Sequence, residues 1–259
     1  TLYCCMSSLS RVGFARSATC KLLRRNQLLA CLSDRDLRRC SAHGATVRLD
    51  RGQVLYQPGE LKHYVYFPLD SYVSQQSSLA GAPCLEVGLV GYEGMVGASL
   101  LLGVQVAPLY TAVEGAGAAL RLDALQFVRE AGLGSALGKI TSSYIYVRMS
   151  QLGQMAACTR FHFLEARLAR WLLMTRDCAR SVSFRMTQNH MAKMLGVRRV
   201  GITEAAGLLQ RRRLIKYHRG EITILNASRL EALSCECYIT ARRTYARHLT
   251  SFARLTRHT

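Results

Sequence analysis

The sequence predicts an α+β chain of three parts: an antiparallel β sandwich or barrel, a long helix, and a helix-turn-helix followed by a β hairpin. Three observations carry this. Residues 45–122 are filled by short alternating runs cut by Gly, Pro and Asp. After Leu133 the apolar spacing lengthens to steps of three and four. The stretch "MAKMLGVRRVGITEAAGLLQRRRLI", residues 191–215, sets Gly196 between two helical apolar patterns and adds a concentration of arginine. At 259 residues the chain is long enough for two cores.

The first 25 residues are rich in Ser and Arg and lack acids; a poorly ordered basic tail is the expectation, although they resemble an organellar presequence. From Asn26 to Cys40, "NQLLACLSDRDLRRC" reads as a short amphipathic helix restarted at Ser33, a residue suited to cap a helix start. "TVRLDRGQVLYQPGE" offers two strands around Asp50-Arg51-Gly52 and a turn at Pro58-Gly59. "HYVYFPLDSYVSQQSS", "CLEVGLVGYEGMVG" and "LYTAVEGAGAALRL" continue the pattern, with glycines at 88, 91, 94, 97 and 103 marking a bend-rich loop that holds a short helix. Many short strands at near-regular spacing favour an antiparallel architecture over alternating β and α units.

Leu133, Leu137, Ile140, Tyr144, Val147, Gln151, Gln154 and Cys158 then step by 4, 3, 4, 3, 4, 3, 4. This is the seam two helices use to pack side by side, so Leu137, Ile140, Tyr144, Val147, Gln151 and Gln154 are the expected dimer seam. The same stripe would also serve to pack the helix on its own barrel. An amphipathic segment with the sole tryptophan, Trp171, follows. The resulting division is 1–25, 26–132, 133–159 and 160–259.

Thr187 is placed to cap a helix from Gln188 to Leu195. Ala192 is small enough for a close helix crossing, Gly196 allows the tight turn, and Val197, Ile202 and Ala205 line the inner face of the next helix. Its outer face would show Arg198, Arg199, Val200, Thr203, Glu204 and Gly207. Arg grips guanine O6 and N7 with two bonds, and Glu accepts from cytosine N4. Arg211, Arg212 and Arg213 close the helix, where they suit its negative end or a phosphate. In "LIKYHRGEITIL", two β runs meet at Arg219-Gly220, and Lys216, His218 and Arg219 suit a hairpin lying along a sugar-phosphate backbone. Thr187 and Gln188 complete the expected DNA-facing set.

Charge agrees with this. The net charge is +19; residues 160–259 hold 20 Lys/Arg against 6 Asp/Glu, whereas residues 40–140 hold 6 against 8. One region is built to meet a polyanion and the other is not. Double-stranded DNA is the expected partner, together with a second copy of the chain. No apolar run is long enough to span a membrane, and a cytoplasmic location is expected. The enzyme alternative lacks a Ser/His/Asp arrangement, a phosphate-cradling Gly-Lys loop and a His-Glu-x-x-His motif; Glu86, Glu93 and Glu114 stand isolated among apolar residues. Of the ten cysteines, no two form Cys-x-x-Cys, and Cys235-x-Cys237 is closer set than the usual zinc pairs, so reduced thiols and no metal or cofactor are expected.

The chain resembles the Crp/Fnr family of bacterial transcription regulators over roughly residues 26–240. The likeness rests on "RGQVLYQPGE", "HYVYFPLDS", "VGYEGMVGASLLLG", "RLARWLLM", "MTQNHMAKMLGVRRVGITEAAGLLQRRRLIKYHRGEITIL" and "LEALSCECY". The resemblance implies an N-terminal antiparallel β-roll, jelly-roll-like and of the cyclic-nucleotide-binding type, a long dimerisation helix and a C-terminal winged helix-turn-helix. It places Arg199 at the family's guanine-reading arginine, Val200 where a base-contacting glutamate is common, and Glu204 where a second arginine is common; Arg198 replaces the usual serine at the helix start. It places an effector pocket at Val90, Gly91, Glu93, Gly94, Met95, Val96 and Tyr144. Cyclic-AMP binders of the family follow a Gly-Glu pair with an arginine that holds the cyclic phosphate, and here no arginine lies between Glu93 and Arg121. Tight cyclic-AMP binding is therefore not expected. The cysteines do not reproduce the spacing of the family's iron–sulfur branch, and a haem, thiol or metal sensor of the same fold, with a ligand such as His63, is the alternative. An activator of this kind would also meet RNA polymerase.

Overall fold

The computed structural model describes residues 19–78 and 84–250. The period-two runs fold as antiparallel strands β1 (Gly44–Leu49), β2 (Val54–Tyr56), β3 (Tyr64–Pro68), β4 (Tyr72–Ser77), β5 (Leu85–Val90), β6 (Tyr110–Gly115) and β7 (Gly117–Asp123). They form two sheets, ordered β1-β7-β3 and β2-β6-β4-β5. Alternation sorts their side chains between two cores. Leu49, Tyr66 and Ala119 of the first sheet pack with Tyr56, Val73, Val90 and Val113 of the second. Phe67, Leu120 and Leu122 point the other way, into a core shared with helices. The bend-rich loop between β5 and β6 carries a 3-10 helix, Ala98–Leu102.

The covering helices are α1 (Gln27–Ala30) and α2 (Asp34–Ala42), with Asn26 and Ser33 capping their starts. The C-terminal end of the basic tail departs from the expectation of poor order. Residues 19–23 are helical, Leu23 is fully buried, and Arg24 reaches Asp34 at 2.7 Å. An apolar anchor and an ion pair hold this part against the roll despite its basic composition. Cys4, Cys5 and the rest of residues 1–18 lie outside the described residues.

After β7 come α3 (Ala124–Glu130), started by Asp123, and the 26-residue helix α4 (Ala136–Phe161), capped by Ser135. The expected dimer seam is corrected here. Leu137, Ile140, Tyr144 and Val147 are buried in the core with Phe67, Leu120 and Phe127, so this stripe packs α4 onto its own roll. Gln151 accepts from Arg148 at 2.9 Å, and Gln154 is half-buried. The free apolar stripe lies elsewhere on the helix: Ile145, Met149, Leu152 and Ala156 also step by 4, 3 and 4, with Met149 66% and Leu152 42% exposed. Leu133 precedes the helix and is exposed.

His162 takes extended backbone angles and breaks α4 from α5 (Leu164–Ala179). The C-terminal unit follows as β8 (Ser183–Arg185), α6 (Gln188–Leu195), α7 (Arg199–Arg211), β9 (Ile215–His218), β10 (Glu221–Ile224), α8 (Ala227–Leu233) and α9 (Cys237–Tyr245). Its sheet is ordered β8-β10-β9, and a last π-helical turn covers Ala246–Thr250. Leu168, Trp171, Leu172, Met191, Leu195, Ile202, Leu209, Ile222 and Tyr238 form a core of its own.

The two halves are packed together. The Trp171 ring N–H donates to Glu86 Oε1 of β5 at 2.8 Å, Arg51 donates to the Arg185 carbonyl at 3.1 Å, and Leu85 lies against Gly196. His190 Nε2 sits 3.1 Å from Glu114 Oε2, off the direction of a hydrogen bond.

Candidate nucleic-acid interface

The C-terminal unit builds its outer surface from local signals. Thr187 Oγ1 accepts from the His190 N–H at 3.2 Å and starts α6. Gly196 ends it with φ +62°, a conformation a side chain would strain. The chain then turns into α7, whose Ile202, Ala205, Ala206 and Leu209 are buried against α5 and α6. Burial of these four fixes which face of α7 looks outward. Arg198 begins α7 without a side-chain cap, as the loss of serine there implies.

Arg198, Arg199, Val200, Thr203 and Glu204 are all exposed on that outward face, with Val200 61% exposed. Thr203 Oγ1 donates to Gln188 Oε1 at 2.9 Å, which ties the start of α6 to the face of α7. Arg211, Arg212 and Arg213 are exposed at the far end. β9 and β10 pair in register from Ile215↔Ile224 to His218↔Glu221, and Arg219 and Gly220 close the hairpin with φ +48° and +78°. Both residues in the left-handed region match a tight hairpin turn. Lys216, His218 and Arg219 are exposed on it. From 187 to 219 the one carboxylate is Glu204, so the helix face and the hairpin are both strongly basic.

The arrangement matches that of known regulators. Residues 166–233 match the Crp-like helix-turn-helix domain. Solved structures extend the likeness over most of the chain. A putative Crp/Fnr-family regulator from Eubacterium rectale aligns with TM-score 0.62 and 18% identity, covering 78% of this chain and 94% of that one. FixK2 from Bradyrhizobium japonicum aligns with TM-score 0.63 and 14% identity, covering 74% and 98%. A Crp/Fnr-family regulator of Thermus thermophilus aligns with TM-score 0.60 and 20% identity, covering 73% and 98%. The chain has the Crp/Fnr fold. No curated protein sequence matches it significantly. Within the Crp/Fnr fold the first half is the β-roll and the second the winged helix-turn-helix.

The pocket residues divide. A cavity of about 330 Å³ lies between roll, long helix and C-terminal unit, lined by Glu93, Tyr144, Arg148, Asp177, Cys178 and Tyr245 among others. Of the residues expected to form an effector pocket, only Glu93 and Tyr144 reach it. Val90 and Val96 are buried in the sandwich core instead, Val90 at the end of β5 and Val96 in the following loop, bridged to Tyr66. Gly91 and Gly94 form the turn that Glu93 braces, its Oε1 accepting from the Gly91 N–H at 2.9 Å. Met95 lines a second cavity of about 200 Å³ under the 3-10 helix, shared with Lys62, Gln75, Tyr144 and Arg148. Burial holds the Glu93 carboxyl above its ordinary pKa and the Lys62 amine below its own. His63 is exposed on the roll surface.

Sequence reasoning missed the cavity walls contributed by α5 and α9, because Asp177, Cys178 and Tyr245 belong to a unit read as separate. It also set aside the cysteines on spacing, whereas the fold gathers Cys158, His162, Cys235 and Cys237 so that their ligand atoms all lie within 4.8 Å of one another. No helix among the described residues is long and apolar enough to cross a membrane.

Proposed function

We propose that the chain is a cytoplasmic, sequence-specific DNA-binding transcription regulator, acting as a homodimer on a palindromic operator. One observation carries this reading: α7 presents Arg198, Arg199, Thr203 and Glu204 outward from a packed base, beside a basic hairpin at Lys216–Arg219. A helix so mounted fits the major groove, and the hairpin the adjacent backbone. Two copies related by a dyad would read half-sites about 34 Å apart. The stripe Ile145, Met149, Leu152 and Ala156 is the surface on which α4 would meet its counterpart, in place of the stripe that the roll consumes. Met149→Lys should convert the dimer to monomer in sedimentation and weaken operator binding in proportion.

The roll is read as the sensor, and the larger cavity touches all three parts whose arrangement a ligand would have to bias. Cyclic AMP does not suit the smaller one. The cations lining it are engaged: Lys62 Nζ donates to the Val104 carbonyl at 3.1 Å and to that of Val106, and Arg148 donates to Gln75 and Gln151 at 2.9 Å each. The DNA reading is tested by Arg199→Ala with a selected operator. Preference at one base pair should fall by about 1–3 kcal/mol while nonspecific binding persists. Unchanged specificity would remove Arg199 from base reading.

A further inference from the structure

The break between α4 and α5 lies beside the segment that joins α8 to α9, and each side brings two metal-binding side chains. Cys158 lies in the last turn of α4 and His162 is the residue that follows the helix, its N–H donating to the Cys158 carbonyl at 3.1 Å, which keeps the two close. Cys235 and Cys237 flank Glu236 where α9 begins. Cys158, Cys235 and Cys237 are buried, and their thiols pack against Ala166 rather than against solvent.

We propose that Cys158, His162, Cys235 and Cys237 form a tetrahedral Zn²⁺ site that clamps the end of the long helix to the DNA-binding unit. Two of the donor–donor edges already match such a site, and all four ligand atoms lie within 4.8 Å of one another. Metal–sulfur bonds of about 2.3 Å and metal–nitrogen bonds of about 2.0–2.1 Å require donor–donor edges of about 3.5–3.8 Å in a tetrahedron. Cys158 Sγ lies 3.6 Å from Cys235 Sγ, and Cys237 Sγ lies 3.6 Å from His162 Nδ1. The imidazole is already oriented to ligate, because its other nitrogen, Nε2, is 3.1 Å from Glu236 Oε1. A carboxylate that takes the Nε2 proton's hydrogen bond leaves Nδ1 with a lone pair turned toward the thiols, the pairing that metal-bound histidines use.

Charge gives an independent argument. Metal binding releases the three thiol protons, and three thiolates with one Zn²⁺ and a neutral imidazole leave a single negative charge in a buried place. Arg170 on α5 is buried, and its Nε has no hydrogen-bond partner. Its positive charge acts on Cys158, Cys235 and Cys237 alike. A buried cation lacking a full complement of partners is costly, and a singly negative metal cluster beside it offsets that cost. Three thiolates and an imidazole select Zn²⁺ over the hard cations that take oxygen.

The site is chemically distinct from the DNA-facing surface, so its test does not depend on DNA binding. The full chain, expressed with added zinc and purified without chelator, should carry about one zinc per chain by mass spectrometry of the metal. Cobalt substitution should give the intense thiolate-to-metal absorption and tetrahedral bands of a sulfur-rich site. Cys158→Ser and Cys235→Ser should each lose most of the zinc, while Cys84→Ser, outside the cluster, should keep it. Glu236→Gln leaves every ligand in place and guards against variants that fail to fold. It should weaken zinc about 10- to 100-fold in competition with a chromophoric chelator. Less than about a tenth of an equivalent of zinc in the wild-type chain with no uptake on titration, zinc retained in both cysteine variants, or a Cys158–Cys235 disulfide in protein kept under reductant would overturn the site.

Discussion

The helix-turn-helix unit and the β-roll solve different problems with the same kind of apolar core. In the former, the groups that would meet a partner stand outside the packing: Ile202, Ala205 and Leu209 are buried while Arg199, Thr203 and Glu204 face outward on the same helix. In the latter, the groups that would meet a ligand are part of the packing. Tyr144 is both a core residue and a cavity wall, and Glu93 both braces a turn and lines the same space. A surface that recognises a polymer can vary freely above its support. A pocket made from structural residues cannot change without the fold changing too.

The widest effect should come from attacking the support of the first region. Ile202→Ala removes a fully buried side chain from under α7 and should cost about 2–5 kcal/mol of stability in chemical denaturation. DNA binding should fall with it although no outward residue is touched. If affinity survived at full strength, the separation of support from surface drawn above would be wrong.

Next comes the joint between the regions. Burial pushes the Glu86 carboxyl up to about 7, and its Oε2 has no hydrogen-bond partner. A carboxyl with a raised folded-state pKa favours the packed form most below its unfolded value of 4.5, and that contribution is lost as pH rises through about 7. The packed form should therefore lose up to about 3 kcal/mol between pH 5 and 8, because the ionised carboxylate is penalised by its burial even though the Trp171 N–H still bonds to it. Trp171 is the sole tryptophan, so its fluorescence follows the change directly. Glu86→Gln should flatten the profile; a profile unchanged in that variant would assign the titration to another group, the buried Glu93 carboxyl first.

The smallest effect should be at the hairpin. Arg219→Gln removes one candidate phosphate contact and should reduce the slope of log affinity against log salt by about 0.9, with base preference unaltered. A change in preference would show that the hairpin reads sequence and would blur the distinction between α7 and β9–β10.

How far the sequence could be read follows from how local each signal is. Thr187, Gly196 and the Arg219-Gly220 turn act on neighbours a few residues away, and the structure shows the caps and left-handed angles that their chemistry demands. The strands from β1 to β7 were legible for the same reason, since alternation and turn residues are contiguous. Which stripe of α4 the roll covers was not. α4 carries two apolar series with the same stepping, Leu137–Ile140–Tyr144–Val147 and Ile145–Met149–Leu152–Ala156, and periodicity does not say which one the roll covers. The cavity and the cysteine cluster were hidden by distance along the chain. Cys158 and Cys235 are 77 residues apart, and Glu93 meets Cys178 across 85. Pairings of that range are decided by tertiary packing, and no local spacing rule contains them.

The contact of Leu85 with Gly196 has a practical consequence for anyone exchanging modules between proteins of this fold. A side-chain carbon of the roll rests where a Cβ on Gly196 would come within 3.0 Å of it, and Trp171 donates its ring N–H to the residue next door, Glu86. A chimaera cut at the break around His162 would carry one half of this fitted seam and leave the other behind. Grafts should transplant Leu85 and Glu86 together with the C-terminal unit, because the turn between its two helices is shaped to the strand on which it sits.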